Sequence, residues 1–272
     1  MPIADLGGLH VHYRDEGDPD GPAIVLSHAL GTDLRVWDAV VPLLPVGLRC
    51  LRYDLRGHGL SDCPPAPYAM GALVTDAERL LDRLEVRECV FVGLSIGGMI
   101  AQALAVKRLD LVRALVLSNT AAKIGTTESW QDRIDLARAE GLAALSGTMM
   151  ERWFSASFRA TPDLAQWANL FERTPLEGYA GCAAAISGTD LMAATARLTL
   201  PTLVLAGSAD GSTPPDLVRE TAALIAGSDF HLIRGAGHLP CVEAPQDVAD
   251  VIGDFVRRIG HSTTAGDGRG AP

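Results

Sequence analysis

Three residues of this chain, a serine, an aspartate and a histidine, have the types and the order that could do covalent chemistry. Ser95 lies in Gly93-Leu94-Ser95-Ile96-Gly97-Gly98, after the apolar run Val90-Phe91-Val92 and before the helical stretch Met99-Ile100-Ala101-Gln102-Ala103-Leu104. This is the strand–turn–helix form of a nucleophile elbow, in which a sharp bend carries the serine Oγ out of the packed interior. A serine hydroxyl is a poor nucleophile at neutral pH. It needs a histidine to take its proton and an acid to orient that histidine. Asp210 follows Thr202-Leu203-Val204-Leu205-Ala206-Gly207-Ser208-Ala209, and His238 follows Phe230-His231-Leu232-Ile233 and the glycine-bearing Gly235-Ala236-Gly237. Taken singly, Ser95 and Asp210 could be helix caps and His238 a plain loop residue. Taken together, in the order serine, acid, histidine, they read as a catalytic triad for attack on an acyl carbon.

Such a site also needs backbone N–H groups aimed at the oxyanion that forms. One is expected from Ile96, the residue after the nucleophile, and the other from the loop Ser27-His28-Ala29-Leu30-Gly31, where Leu30 is the donor by position. Ala29 stands where a glycine is usual, which raises the question of the local backbone angles. His28 is expected to be buried and structural. Asp54-Leu55-Arg56-Gly57-His58-Gly59-Leu60-Ser61 lacks the spacing of a phosphate loop and reads as a structural turn. No His/Asp/Glu cluster has metal-ligand spacing, so neither a metal nor a cofactor is expected.

The elements that must position these residues are legible as apolar runs. Strands are expected at Leu9 to Tyr13, Ala23 to Leu26, Arg49 to Tyr53, Ala114 to Leu117, Thr202 to Leu205 and Phe230 to Ile233, besides the elbow strand. Helices are expected over 70–85 and 246–258, each with an apolar face. Strands alternating with helices predict an α/β fold, a mostly parallel sheet with helices on both faces. The triad residues then follow the C-terminal ends of strands, where parallel sheets place their sites. Residues 121–197 break the rhythm with helical stretches and no clear strand, and read as a helical cap inserted between core segments 1–120 and 198–260. The Gly/Ser/Thr-rich stretch 261–272 reads as a disordered tail.

Composition bounds the partners. The chain has 272 residues, 48% of them hydrophobic, enough for one large domain. A formal charge of −10 argues against nucleic acid and against anionic membrane surfaces. No apolar run is long enough to span a bilayer, and the N-terminus lacks a signal-peptide pattern. The five cysteines are widely spaced, without a CxxC pair, as expected of reduced thiols. The expectation is a soluble, cytoplasmic protein; a homo-oligomer is left open by the sequence.

Together the elbow, Tyr53-Asp54-Leu55-Arg56-Gly57-His58-Gly59 and Gly237-His238 resemble the α/β-hydrolase superfamily. Narrower stretches are similar to the 3-oxoadipate enol-lactonases: Leu26 to Leu34 followed by Trp37-Asp38, Ser118 to Gly125 followed by Trp130 and Arg133, and Tyr179 to Ile186. That family's usual asparagine is His28 here. The resemblance implies an α/β-hydrolase fold and opening of a small enol-lactone to 3-oxoadipate in aromatic-compound catabolism, the β-ketoadipate pathway, by a serine acyl-enzyme without cofactor. Such a substrate carries a free carboxylate. Cap cations such as Lys123, Arg133, Arg138, Arg152, Arg159 and Arg173 stand among nine acids, so the cap is no basic surface and one aimed arginine is expected to capture it. Arg133, one helical turn after Trp130, is the candidate. Trp130 and Trp153 are candidates for lining the pocket. A carboxylesterase, a C–C bond hydrolase on another small carboxylated substrate, and a slow-turnover ligand receptor remain as alternatives with the same residues.

Overall fold

The structure is a computed structural model that describes residues 1–262. Its frame is an 8-stranded sheet in the order β1-β2-β4-β3-β5-β6-β7-β8. The strands are β1 (Ile3–Asp5), β2 (His10–Gly17), β3 (Ala23–Ser27), β4 (Arg49–Tyr53), β5 (Cys89–Leu94), β6 (Val112–Ser118), β7 (Thr202–Gly207) and β8 (Asp229–Ile233). The pairs β1/β2 and β2/β4 are antiparallel and all the others parallel. Every residue of β3, β5 and β7 is buried. This explains why their sequences are unbroken apolar runs: with helices on both faces, neither face can carry polar side chains. β1 is too short to leave a periodic signal and escapes the sequence reading.

The helices are α1 (Met70–Arg83), α2 (Ile96–Lys107), α3 (Thr127–Glu140), α4 (Ala143–Trp153), α5 (Ala156–Arg159), α6 (Leu164–Glu172), α7 (Leu176–Ser187), α8 (Met192–Thr195), α9 (Pro215–Leu224), α10 (Pro240–Glu243) and α11 (Pro245–Arg258). α1 buries Leu73, Val74, Ala77, Leu80 and Leu81, and α11 buries Val248, Ala249, Ile252, Phe255 and Val256, the i, i+3, i+4 stripes of core-facing helices. Each of the Leu, Val, Ile and Phe side chains among them contributes roughly 1.5–3 kcal/mol when fully buried. α1, α2, α8 and α9 pack in succession, whereas α11 packs against the 3-10 turn Val41–Leu43.

Between β6 and β7 the described chain is helical, α3 to α8, with α3 packed on α4 and α7, and α4 on α6. α8 returns to the layer beside the sheet, where Thr195 Oγ1 donates to Gln102 Oε1 of α2 at 2.7 Å. The expected tail does not include His261. Gly260 turns with φ 66°, His261 is buried, and its ring nitrogen meets the Ala23 carbonyl at 2.8 Å. A composition rule cannot see that hydrogen bond. The expectation for the remaining residues, 263–272, lies outside the described part.

At the elbow β5 and α2 are pressed together so closely that a side chain has no room. A Cβ on Gly93 would stand 2.3 Å from the Gly97 carbonyl oxygen, and one on Gly97 would stand 2.7 Å from the Ser27 carbonyl oxygen. Those obstacles are backbone atoms and cannot rotate away. Gly93→Ala should therefore cost about 3 kcal/mol of stability by forcing the strand and helix apart. A urea-unfolding midpoint equal to that of the wild-type protein would contradict this reading of the elbow.

Candidate active site

Ser95 occupies the turn between β5 and α2 with φ 56° and ψ −116°, a conformation that costs a non-glycine residue roughly 1–3 kcal/mol. Its backbone is held on both sides. Ser95 N–H donates to the Ser118 carbonyl at 3.0 Å, and its carbonyl accepts from Thr120 Oγ1 at 2.6 Å and from the amides of Gly98 and Met99. The bend is thus imposed by β6 and by the first turn of α2. The residue is 8% exposed, and its hydroxyl makes no hydrogen bond among the described residues.

Asp210 and His238 are brought together. His238 Nδ1 lies 2.9 Å from Asp210 Oδ2. Facing a carboxylate, Nδ1 carries the proton, which leaves Nε2 as the acceptor. Asp210 has a fully buried side chain. Its Oδ1 accepts from the amides of Ser212 (2.7 Å) and Thr213 (2.9 Å), and its Oδ2 accepts from Thr213 Oγ1 (2.7 Å) and Asn119 Nδ2 (2.8 Å). Burial pushes this carboxyl's pKa up, but the histidine and the donors outweigh it and hold the group below its ordinary value. No hydrogen bond joins Ser95 to His238 in this resting geometry; such contacts are often long until substrate arrives.

Of the two expected oxyanion donors, neither the Leu30 nor the Ile96 amide donates to another group among the described residues. The turn that carries Leu30 is rigid. His28 Nδ1 donates to the Ala29 carbonyl (2.8 Å) and its Nε2 accepts from Leu55 N–H (2.9 Å), while His58 Nε2 accepts from Gly31 N–H (3.0 Å). Both rings are thereby fixed as neutral tautomers. Ala29 is compatible with the turn because the left-handed angle falls two residues later, at Gly31 with φ 76°. The turn Asp54 to Ser61 is architectural: Asp54 accepts from the amides of Leu34 and Leu60 and pairs with His12 at 2.7 Å.

The cap closes over this floor. Trp130 is buried and donates from Nε1 to the Ile124 carbonyl at 2.7 Å, and the Arg133 guanidinium stacks 4.4 Å from its ring centre. Trp130 is thus a platform under Arg133. Trp153 meets Phe171 edge-on at 5.4 Å, and Phe171 lies where a Cβ on Gly31 would touch it at 2.7 Å. The carbonyl of Trp153 accepts the His238 amide at 2.7 Å.

Three further residues escaped the sequence reading. Asn119, itself at φ 47°, donates both to Asp210 and to the Gly237 carbonyl (3.2 Å). It immediately follows β6, so the post-strand rule that found Asp210 and His238 could have found it. Thr213 braces the aspartate. Glu243 accepts from Gly237 N–H at 2.7 Å and from the Ser155 amide at 3.1 Å, tying the histidine loop to the cap, and nothing local in the sequence announces that contact. A cleft of about 300 Å³ bounded by Arg35, Gln166, Trp167 and Leu170 includes none of Ser95, Asp210 and His238; chemistry rather than size assigns the site.

Fold and site define a class. The family profile for the alpha/beta hydrolase fold matches residues 22–245, and the chain belongs to the α/β-hydrolase family. It is a hydrolase of that family, and it resembles particular members over nearly its whole length. It is 33% identical to 3-oxoadipate enol-lactonase 2 of Acinetobacter baylyi, covering 92% of this chain and 94% of that protein. The crystal structure of the enol-lactonase from Burkholderia xenovorans LB400 is similar with a TM-score of 0.91 at 38% identity, covering 94% of this chain and 100% of that one. A thermophilic esterase from Thermogutta terrifontis, solved with malate bound, is similar with a TM-score of 0.87 at 30% identity, covering 94% and 97%.

The buried neutral histidines make the site acid-sensitive. Burial lowers the pKa of His58 to about 3, with the neighbouring His28 adding to the effect, and burial lowers that of His28 as well. In the unfolded chain both titrate near 6.5. Their contribution is therefore intact above about pH 6.5 and is lost as pH falls toward 3, because only the unfolded state takes up the protons. Between pH 6.5 and 5 the unfolding free energy should drop by about 2 kcal/mol through His58, with His28 acting in the same direction. Urea titrations at those pH values check this; a flat profile would mean that the rings are protonated in the folded protein.

Proposed function

We propose that this protein hydrolyses 3-oxoadipate enol-lactone to 3-oxoadipate through an acyl-enzyme on Ser95, as a step in aromatic-compound catabolism. The observation that carries the reading is the Asp210–His238 pair at the rim that bears the strained Ser95, in a chain whose resemblance to enol-lactonases extends through the cap. Asp210 holds the His238 proton on Nδ1, so Nε2 accepts the Ser95 proton as Oγ attacks the lactone carbonyl. The Leu30 and Ile96 amides stabilise the oxyanion. Collapse breaks the ring C–O bond, and His238 returns the proton to the enol oxygen. Because the substrate is cyclic, the leaving enol stays tethered to the acyl-enzyme. His238 next takes a proton from water, hydroxide adds to the acyl carbon, and Ser95 leaves with the proton; the enol tautomerises to the ketone. An enol is a better leaving group than an ordinary alkoxide, so this chemistry needs no metal or cofactor.

A chain of charge −10 repels an anionic lactone at long range, so capture must be local. Arg133, stacked on Trp130, supplies a guanidinium whose side chain is already ordered, which lowers the entropy lost on binding a carboxylate. Trp153 walls the pocket beside the oxyanion turn. A second reading, a carboxylesterase for other small carboxylates, is supported by the similarity to the malate-bound esterase.

Ser95→Ala should lower kcat on the enol-lactone by at least about 10⁴-fold while leaving the unfolding midpoint in place; near-normal turnover in that variant would remove the serine from the mechanism. For Arg133→Ala, KM for the enol-lactone should rise by roughly tenfold or more. Steady-state kinetics on the lactone and on a neutral ester separate the two readings of this arginine, since equal losses on both substrates would deny it a carboxylate partner.

A further inference from the structure

The C-terminal turn of α4 is bound to both loops that carry the aspartate and the histidine. Gly211 N–H, one residue past Asp210, donates to the Arg152 carbonyl at 3.0 Å, and His238 N–H donates to the Trp153 carbonyl at 2.7 Å. This places Arg152 at the edge of the site. Its side chain is half-buried, its Nε is sealed from solvent without a hydrogen-bond partner, and it forms no ion pair among the described residues. Other buried or half-buried arginines are treated differently: Arg52 pairs with Glu16 and Asp38, Arg56 with Asp76, and Arg49 with Asp15. With 33 acids in the chain against 23 Lys and Arg, a partner was available in composition. Leaving a partly desolvated guanidinium without a partner costs stability that an arriving anion would restore.

A second orphan lies nearby. Tyr179, on α7, is 1% exposed, and its hydroxyl lies beside the Arg133 guanidinium without a well-aligned hydrogen bond to any group. Its ring stands edge-on to Phe171 at 5.6 Å, and Phe171 stands edge-on to Trp153, next in sequence to Arg152. α7 packs on α3, which carries Arg133, and Arg133 too has no carboxylate partner among the described residues. Burial lowers the Arg152 pKa and the charge of Arg133 lowers it further, with Asp210 opposing, whereas burial raises that of Tyr179 and both arginines oppose the rise.

We propose that Arg152, Arg133 and the Tyr179 hydroxyl form one subsite for the carboxylate of an anionic substrate, with Arg152 as its inner cation. A carboxylate has two oxygens and about four acceptor positions, enough for both guanidinium groups and the phenol at once. Two cations left facing each other repel; with the carboxylate between them they are bridged. The proposal deepens the function given above and rests on its carboxylated substrate. It also means that one turn of α4 contributes a charge to the substrate and two carbonyls to the catalytic loops.

Wild type, Arg152→Gln, Arg152→Lys and Tyr179→Phe are to be assayed on the enol-lactone and on p-nitrophenyl acetate, and adipate binding measured by calorimetry on Ser95→Ala protein with and without Arg152→Gln. For Arg152→Gln, the ratio of kcat/KM on the lactone to that on the neutral ester should fall about a hundredfold, mostly through KM, with partial recovery in Arg152→Lys. Tyr179→Phe should lower the ratio about fivefold, and Arg152→Gln should weaken adipate binding more than tenfold. An unchanged ratio together with unchanged adipate binding would overturn the subsite. If the wild-type protein leaves the enol-lactone intact while adipate binding still depends on Arg152, the subsite stands and the lactonase reading falls. If Arg152→Gln does not fold, Arg152→Lys and Tyr179→Phe decide by the same measurements.

Discussion

A carboxylate with no exposed surface is the constraint on which the catalytic rim depends. Removing the Asp210 charge from water costs several kcal/mol, and only well-placed donors offset that. The structure supplies them from three separate stretches: Ser212 and Thr213 in its own loop, Asn119 at the end of β6, and His238 after β8. Satisfying one buried charge therefore fixes three loops relative to each other. Asn119 goes further, because its amide also holds the Gly237 carbonyl, next to His238. Its neighbours Ser118 and Thr120 grip the Ser95 backbone. The three residues 118–120 thus join Ser95, Asp210 and His238 at the C-terminal end of a single strand.

The cap belongs to this frame. Its α4 lends carbonyls to Gly211 and His238, and Glu243 bridges Gly237 to Ser155 at the start of α5. Swinging these helices away as a rigid lid would unpair the buried amides of His238, Gly237 and Ser155, at roughly 1–3 kcal/mol for each one left unsatisfied. Space makes the same point. A Cβ on Gly237 would come within 2.4 Å of the Trp153 carbonyl oxygen, and one on Gly178 of α7 would come within 1.9 Å of the Gly57 carbonyl oxygen. This part of the backbone between β6 and β7 is seated against the loops of the sheet.

What could be read from the sequence divides along a physical line. Buried strands announce themselves because a two-sided sheet forbids polar residues over several consecutive positions. The elbow does so because glycines are needed where backbones touch. The order Ser95, Asp210, His238 follows from loops at one end of a parallel sheet. Arg133 was within reach because its relation to Trp130 is a local helical spacing, and the two do stack. Arg152 stands in the same cap sequence, yet what singles it out is the lack of a partner, and pairing is decided across elements distant in the chain. The same holds for Tyr179, buried with its hydroxyl beside the Arg133 guanidinium, for Glu243, and for His261, held by the Ala23 carbonyl 238 positions away. The question raised by Ala29 had a local answer at Gly31, because the turn needs its left-handed residue two positions later.

Charge is distributed differently over the molecule as a whole and near Ser95. Beyond a Debye length of about 8 Å the net charge of −10 is largely screened at physiological salt, so it slows the approach of an anion only modestly. Among the helices between β6 and β7 screening is weaker, and there Arg133 and Arg152 form no ion pair among the described residues, although Arg152 feels the charge of Asp210. A guanidinium deprived of water gains more from a carboxylate than one at the surface, because its hydration has already been given up in folding. That preorganisation is bought with folding stability, and the sheet beneath it, with every side chain of β3, β5 and β7 buried, is what can sustain the cost. The same core that holds a strained serine and a buried aspartate also sustains two arginines that form no ion pair among the described residues, so all of these draw on one reserve of packing energy.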